Sequence, residues 1–365
     1  MPTSIVKVII VGALPPPVHG MAMVNAAVLE KLRSKKIGLL IINVAARSLN
    51  RSFINRLGRI PRCIHGLSRL LVARKQTGSS LYMSISGGYG QFYELLFILF
   101  ARLCGVRIFL HHHSFAYLNS PSHLTRLLVV AAGVDATHIV LSPGMAEKIK
   151  NIYKIKNTLS ISNAVFLFSG GINSSARKRL GTIGFLGNIT SEKGVFDFLD
   201  LVSAIQDEGI ILKARLAGPF QDKETEQLVR QRLTRLPMIE YLGPKYGAEK
   251  DAFYSDIDLL IFPTRYENEA EPMTIHEAMS HGVPVISYCR GSIPEIVVRD
   301  CGLIIAPDAP FVPAALAQIK IWLGCQSIFE RNSETAINNF SKTYTENSRH
   351  LRLLMASLVG ENSDP

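Results

Sequence analysis

Residues 261–287 read Ile-Phe-Pro-Thr-Arg-Tyr-Glu-Asn-Glu-Ala-Glu-Pro-Met-Thr-Ile-His-Glu-Ala-Met-Ser-His-Gly-Val-Pro-Val-Ile-Ser. The apolar run at 259–262 predicts a strand buried on both faces, stopped by Pro263. An acidic loop follows. Pro272 suits the first turn of a helix, Gly282 closes that helix, and Pro284 leads into the next apolar strand. Strand, loop, helix and strand within about thirty residues make the repeating unit of a parallel sheet with helical crossovers.

The same alternation extends in both directions. Toward the N-terminus, apolar runs at 6–11, 38–43, 80–84, 106–111, 138–141 and 158–162 predict one series of strands, with helices such as 21–34 and 93–104 between them. A second series falls at 182–186, 212–217, 239–242, 259–262, 283–287 and 303–305, with helices at 194–207, 224–233, 273–281 and 312–323. Two series predict an α/β fold of two doubly wound parallel-sheet domains, over 1–165 and 179–334. The Ser/Gly-rich stretch within 166–178 reads as the linker. A polar-faced helical segment over 335–365 follows and can pack back on the first domain. Ligands of such sheets sit at the carboxyl ends of the strands, so a cleft shared by the domains is the default site.

Composition narrows the class. The chain has 365 residues, 47% apolar and 19% charged, which excludes a disordered or fibrous protein. Its net charge of +11 is unevenly placed: residues 1–134 hold 16 Lys/Arg against Glu30 and Glu94 alone, and the rest is close to neutral. The apolar start is short, carries Lys7 and lacks a small-residue cleavage site, so it reads as a first strand rather than a signal peptide. The apolar stretch 95–110 is broken by Arg102, Gly105 and Arg107, which predicts no membrane span. Five scattered cysteines without a CxxC pair fit reduced thiols in a cytoplasmic protein.

The acidic motif carries the chemistry. A helix starting at Pro272 presents unpaired backbone N–H groups at Met273 and Thr274, which suit a diphosphate. Glu269 lies in the loop before it and Glu277 about one turn inside. They can grip opposite ends of one ligand, Glu277 accepting from ribose hydroxyls and Glu269 facing a transferred group. Dipole capping is the bland reading of such a pair.

Glu269, seven intervening residues, Glu277 in Glu-Ala-Met, and Gly-Val-Pro-Val-Ile after it resemble the retaining family 4 (group 1) glycosyltransferases. The string Asn-Glu-Ala-Glu-Pro at 268–272 resembles members acting on bacterial surface polysaccharides. The resemblance implies a GT-B fold, two Rossmann-like domains facing across a cleft. It implies a nucleoside-diphosphate sugar as donor, no cofactor, no metal, and a glycan or polyprenyl-diphosphate-linked acceptor. It makes Lys193 the cation that neutralises the donor diphosphate. Asn188 stands where a second cation, an Arg, is usual. His113, or His111 as runner-up, becomes the histidine beside the donor sugar, Gly20 the glycine of the first loop near helix position Met21, and Lys245 and Tyr246 contacts to the nucleotide base. Glu269, His113 and Lys193 are the implied catalytic set, and Pro272, Met273, Thr274 and Glu277 complete the donor site.

Other features read from the residues themselves. The run His111-His112-His113 ends a strand, and alternation puts His111 and His113 on one face. Two histidines with no third ligand make a poor metal site. Residues 31–93 hold 12 Lys/Arg and no acid. Within them Arg51, Arg56, Arg59, Arg62 and Arg69 alternate with apolar side chains, as in segments that bind anionic membrane surfaces. A merely solvated basic face is the alternative. No nucleic-acid module is visible. The expectation is a retaining transferase at the inner membrane face. A nucleotide-sugar epimerase of the same fold and a non-catalytic membrane- or nucleic-acid-binding protein are the competing readings.

Overall fold

The computed structural model describes residues 6–45, 60–73, 79–167 and 175–361. Two compact units divide the chain, one comprising 1–166 and 345–365, the other 167–344.

In the first unit the strands are β1 (Val6–Gly12), β2 (Gly38–Asn43), β3 (Ser80–Ile85), β4 (Arg107–His112), β5 (Thr137–Val140) and β6 (Thr158–Ser160). They pair in parallel in the order β2-β1-β3-β4-β5-β6. Helices α1 (Gly20–Ser34), α2 (Ile60–Ala73), α3 (Gln91–Leu103), α4 (Ala116–Asn119), α5 (His123–Ala132) and α6 (Pro143–Tyr153) connect them. Every side chain of β3 is buried. A central strand covered on both faces has no polar side, which is why its sequence shows an apolar run rather than alternation.

The second unit holds β7 (Thr182–Leu186), β8 (Lys213–Ala217), β9 (Ile239–Tyr241), β10 (Leu259–Phe262), β11 (Val285–Tyr288) and β12 (Gly302–Ile305). They pair in parallel in the order β12-β11-β10-β7-β8-β9. Its helices are α7 (Val195–Asp207), α8 (Lys223–Leu233), α9 (Ala248–Ser255), α10 (Met273–Ser280), α11 (Ile293–Ile296) and α12 (Phe311–Gly324). Phe185, Phe198, Leu259, Ile286 and Trp322 meet in its core. Burying each such side chain contributes about 1.5–3 kcal/mol.

Each order reverses once, between β1 and β3 in the first sheet and between β7 and β10 in the second. Crossovers leave these two strand pairs in opposite directions, which opens a crevice at their carboxyl ends.

The strands lie within two residues of their expected bounds. The C-terminal helix differs more. α13 (Gln326–Val359) starts nine residues before the expected Thr335, and the division between units falls after Tyr344. Its first part buries Phe329 and Phe340 in the second unit, and its last part buries Leu351, Leu354 and Leu358 in the first. One unbroken helical period serves two cores, so the pattern carries no mark of the boundary. Of the expected linker, residues 168–174 lie outside the described residues.

Candidate donor site

The crevice of the second sheet is built from two loops. One follows β7 over 187–194, the other follows β10 over 263–272. Gly194 joins them. Its φ is +81°, and a Cβ there would stand 2.0 Å from the carbonyl oxygen of Pro263. Only glycine permits both the left-handed conformation and the approach. The Arg265 N–H donates to the Glu192 carbonyl at 2.8 Å. The Arg265 guanidinium grips both oxygens of Asp197, on the first turn of α7, at 2.7 and 2.6 Å. That bidentate pairing holds Arg265 more firmly protonated than usual.

This clamp brings together two residues 76 positions apart. The Lys193 ammonium donates to Glu269 Oε2, which also accepts the Thr264 hydroxyl at 3.0 Å. Glu269 is buried, and an unpartnered carboxylate there would be costly. The ammonium also lies 5.7 and 5.4 Å from the rings of Phe262 and Tyr266. The loop after β11 closes the far side. Gly291 has φ +51° and its Cβ position lies 2.1 Å from the Glu269 carbonyl oxygen. The Ser292 N–H donates to Ala270 O at 2.8 Å.

Glu277 is held by α9. Lys250 donates to one carboxylate oxygen, and the buried Tyr254 hydroxyl donates to the other at 2.7 Å. Burial and then the charge of Glu277 push the Tyr254 phenol well up, so it stays a donor. Pro272 caps α10 with no side-chain hydrogen bond, leaving the Met273 and Thr274 end to its backbone N–H groups. Sequence reading passed over Thr264, Lys250 and Tyr254, because their roles depend on which loops meet.

Asn188 lies in the same loop as Lys193, and the other expected donor residues fall on other elements. Asn188 is half-buried just past β7. Lys245 lies 3.7 Å from Glu249, and Tyr246 is exposed in the loop before α9. Gly20 is the first residue of α1 rather than the residue before it, because His19 takes the N-cap and accepts from the Ala22 N–H. Open space surrounds the Gly20 Cβ position.

Of the histidine run, His112 points to one face, within 2.8 Å of the Tyr117 hydroxyl and 2.9 Å of His138 Nδ1. His111 and His113 share the other, their ring centroids 4.0 Å apart. His111 Nδ1 is bonded to the Tyr82 hydroxyl at 2.6 Å. Burial, with the nearby His19, lowers the His113 imidazole to about 3. A ring that hard to protonate is a poor general base and a good neutral hydrogen-bonding group. Among the described residues no group of three metal-ligating side chains occurs.

Of the basic segment, Arg51, Arg56 and Arg59 lie outside the described residues. Arg62 and Arg69 spend donors on the carbonyl oxygens of Ala45 and Ile41, so both clasp α2 to the end of β2.

Residues 181–323 match the family model of glycosyl transferases group 1. A Salmonella typhimurium protein named for colanic acid biosynthesis, the glycosyltransferase WcaL, is 26% identical over 143 residues, 37% of this chain and 35% of its own length. A GDP-mannose-dependent alpha-mannosyltransferase of Mycolicibacterium smegmatis is 30% identical over 141 residues, 38% of this chain and 34% of its own. The chain therefore spans about a third of the length of these curated relatives. Among solved structures, Anabaena HepE in complex with UDP superposes with a TM-score of 0.69 at 14% identity, over 97% of this chain and all of that one. That likeness shows the fold, which is GT-B with two Rossmann-like domains.

Proposed function

We propose that the chain is a retaining, metal-independent glycosyltransferase without a cofactor. It moves a sugar from a nucleoside-diphosphate donor to a glycan or polyprenyl-diphosphate-linked acceptor. The observation that carries this reading is the Lys193–Glu269 pair at the crevice of the second sheet. The match of residues 181–323 to group 1 transferases and a neighbour crystallised with UDP support it.

In this reading the donor diphosphate enters between Lys193 and the start of α10. Lys193 leaves Glu269 for the phosphates and stabilises the charge that develops as the anomeric carbon–oxygen bond breaks. The acceptor hydroxyl attacks on the same face, and its proton passes to the departing phosphate oxygen. Glu269, freed from Lys193 but still held by Thr264, faces the sugar. Glu277 takes the ribose hydroxyls. Removing the charge of Lys193 lowers kcat by about 10²–10³. Lys193→Ala and Glu269→Gln, assayed by mass spectrometry of products from nucleotide sugars and lipid-linked acceptors, both lose transfer while retaining their circular dichroism. Full activity in both overturns the assignment. Conversion of donor without acceptor points to an epimerase instead.

The chain is further proposed to work at the cytoplasmic face of an anionic membrane. No helix among the described residues is long and apolar enough to cross one. Support comes from the packed helices α3 and α5. α3 exposes Phe92, Leu96, Leu99 and Leu103 at helical spacing, α5 exposes Leu127 and Val130, and Val134 just past its end is exposed as well. The Arg102 guanidinium lies against Gly133 between them. An apolar stripe bearing arginine is the composition of an interfacial helix.

A further inference from the structure

Residues 175–177, at the end of the linker, touch the C-terminal ends of two helices of the second unit, α9 and α10. The last carbonyl oxygens of an α-helix have no partner within it, and the helix dipole makes that end attractive to a cation. At α9 the Arg177 guanidinium meets both needs. Its Nη2 donates to Tyr254 O at 2.9 Å and its Nη1 to Ser255 O at 3.1 Å. At α10 the contact runs through a buried hydroxyl. The Arg177 N–H donates to Ser333 Oγ at 2.7 Å, and Ser333 Oγ donates to Gly282 O just past the helix. Gly282 has φ +72°, and its Cβ position lies 3.2 Å from Ser175 O, so the segment passes close against this turn.

α9 and α10 are also the two helices that meet at Glu277. Tyr254 joins both contacts in one residue: its carbonyl oxygen accepts from Arg177, and its hydroxyl donates to Glu277 Oε2 at 2.7 Å. Lys250, one turn earlier on α9, donates to Oε1. The Tyr254 hydroxyl also lies 3.3 Å from Thr274 O, on the first turn of α10. The Tyr254 ring is buried, its centroid 5.4 Å from that of His281. A side chain packed in this way follows its backbone, so the placement of the end of α9 sets where the hydroxyl stands and how Glu277 is aimed. Arg177 is half-buried, whereas its neighbours Lys178 and Arg179 are exposed. Burial weighs against its charge, and the nearby Asp258 and Asp256 favour it. Two hydrogen bonds from one planar group hold the helix end in a defined orientation, which a single ammonium does not do.

We propose that Arg177 is a positioning residue for the donor: acting through Tyr254, it sets the direction of the Glu277 carboxylate toward the ribose. The proposal rests on the transferase reading above, in which Glu277 takes the ribose hydroxyls. It adds to that reading a residue at the end of the linker whose effect is confined to ribose recognition. Lys193 and Glu269 stand on other loops and are held by other contacts, so the reacting end of the donor is untouched by the loss of Arg177.

Isothermal titration calorimetry on the full chain tests this with UDP and GDP and with their 2′,3′-dideoxy analogues. The wild type should bind one of the two nucleotides about tenfold or more tightly than its dideoxy analogue, as expected for hydrogen bonds to a charged group. Arg177→Met should close most of that gap by weakening the parent nucleotide, and should leave the affinity for the analogue unchanged. A lesion of the fold alone weakens both alike. Arg177→Lys keeps the charge and one hydrogen bond should Arg177→Met fail to fold, and it should close the gap part of the way. Tyr254→Phe should close it as well, and in that background the Arg177 variant should add nothing. Lys178→Met, exposed beside it, should leave every affinity unchanged. In transfer assays Arg177→Met should raise the donor KM and spare kcat. An undiminished gap in Arg177→Met, or in Arg177→Lys where only that variant folds, overturns the proposal. Equal weakening of nucleotide and analogue, or additive effects with Tyr254→Phe, overturns it too. A wild type that binds nucleotide and analogue equally removes Glu277 from the ribose and the proposal with it, while leaving the transferase reading in place. Binding of neither nucleotide counts against the transferase itself.

Discussion

At the scale of single residues, the candidate site depends on a glycine that touches no ligand. Gly194 lets two loops approach until Lys193 reaches Glu269. Gly194→Ala adds left-handed strain, about 1–2 kcal/mol, to a contact with Pro263 that cannot be accommodated without moving the loop. Transfer should fall with Gly194→Ala about as far as with Lys193→Ala, and the urea midpoint should drop as well. A variant with unchanged kcat and midpoint would show that the loops do not need this contact. The sequence marked Lys193 and Glu269 separately. Their pairing was not legible, because an ion pair across 76 residues leaves no trace in local spacing.

At the scale of elements, helix faces decide what is buried. α3 turns Phe97, Ile98 and Ala101 inward, and leaves Phe92, Leu96, Leu99 and Leu103 in solvent. An exposed apolar stripe of that length on a protein surface calls for a partner. Flotation with vesicles containing anionic phosphatidylglycerol should carry the wild type upward. Replacing Leu96, Leu99 and Leu103 together by Ser should reduce the bound fraction several-fold without loss of helicity, and added salt should weaken binding through Arg102. Equal flotation of the triple variant would remove the stripe from the argument. The alternation of strands and helices was readable because parallel strands are apolar throughout. The exposed face was not, since apolar residues on three sides of a helix look alike until its neighbours are known.

Across the whole molecule, α13 serves two cores. Leu354→Ala deletes buried methyl groups from the first unit and Phe340→Ala an aromatic ring from the second, each costing about 2–5 kcal/mol. Hydrogen exchange read by peptide mass spectrometry should show the two effects apart. Leu354→Ala should speed exchange in β4–β6, and Phe340→Ala in β10 and β11. Equal acceleration of both sheets by either variant would mean that the units open together.

The sequence by itself determined the two parallel sheets, the positions of their strands to within a residue or two, and where in the chain the carboxylates and lysine of the proposed donor motif lie. These are local properties, carried by hydrophobic period, glycine and proline. Tertiary structure alone decided which strands are neighbours, and therefore where each sheet reverses. It also decided that Lys193 meets Glu269 and Tyr254 meets Glu277, and that one helix divides between two cores. Each of these requires loops distant in the chain to meet, and the free energy that brings them together comes from burial of whole faces rather than from any one residue's neighbours.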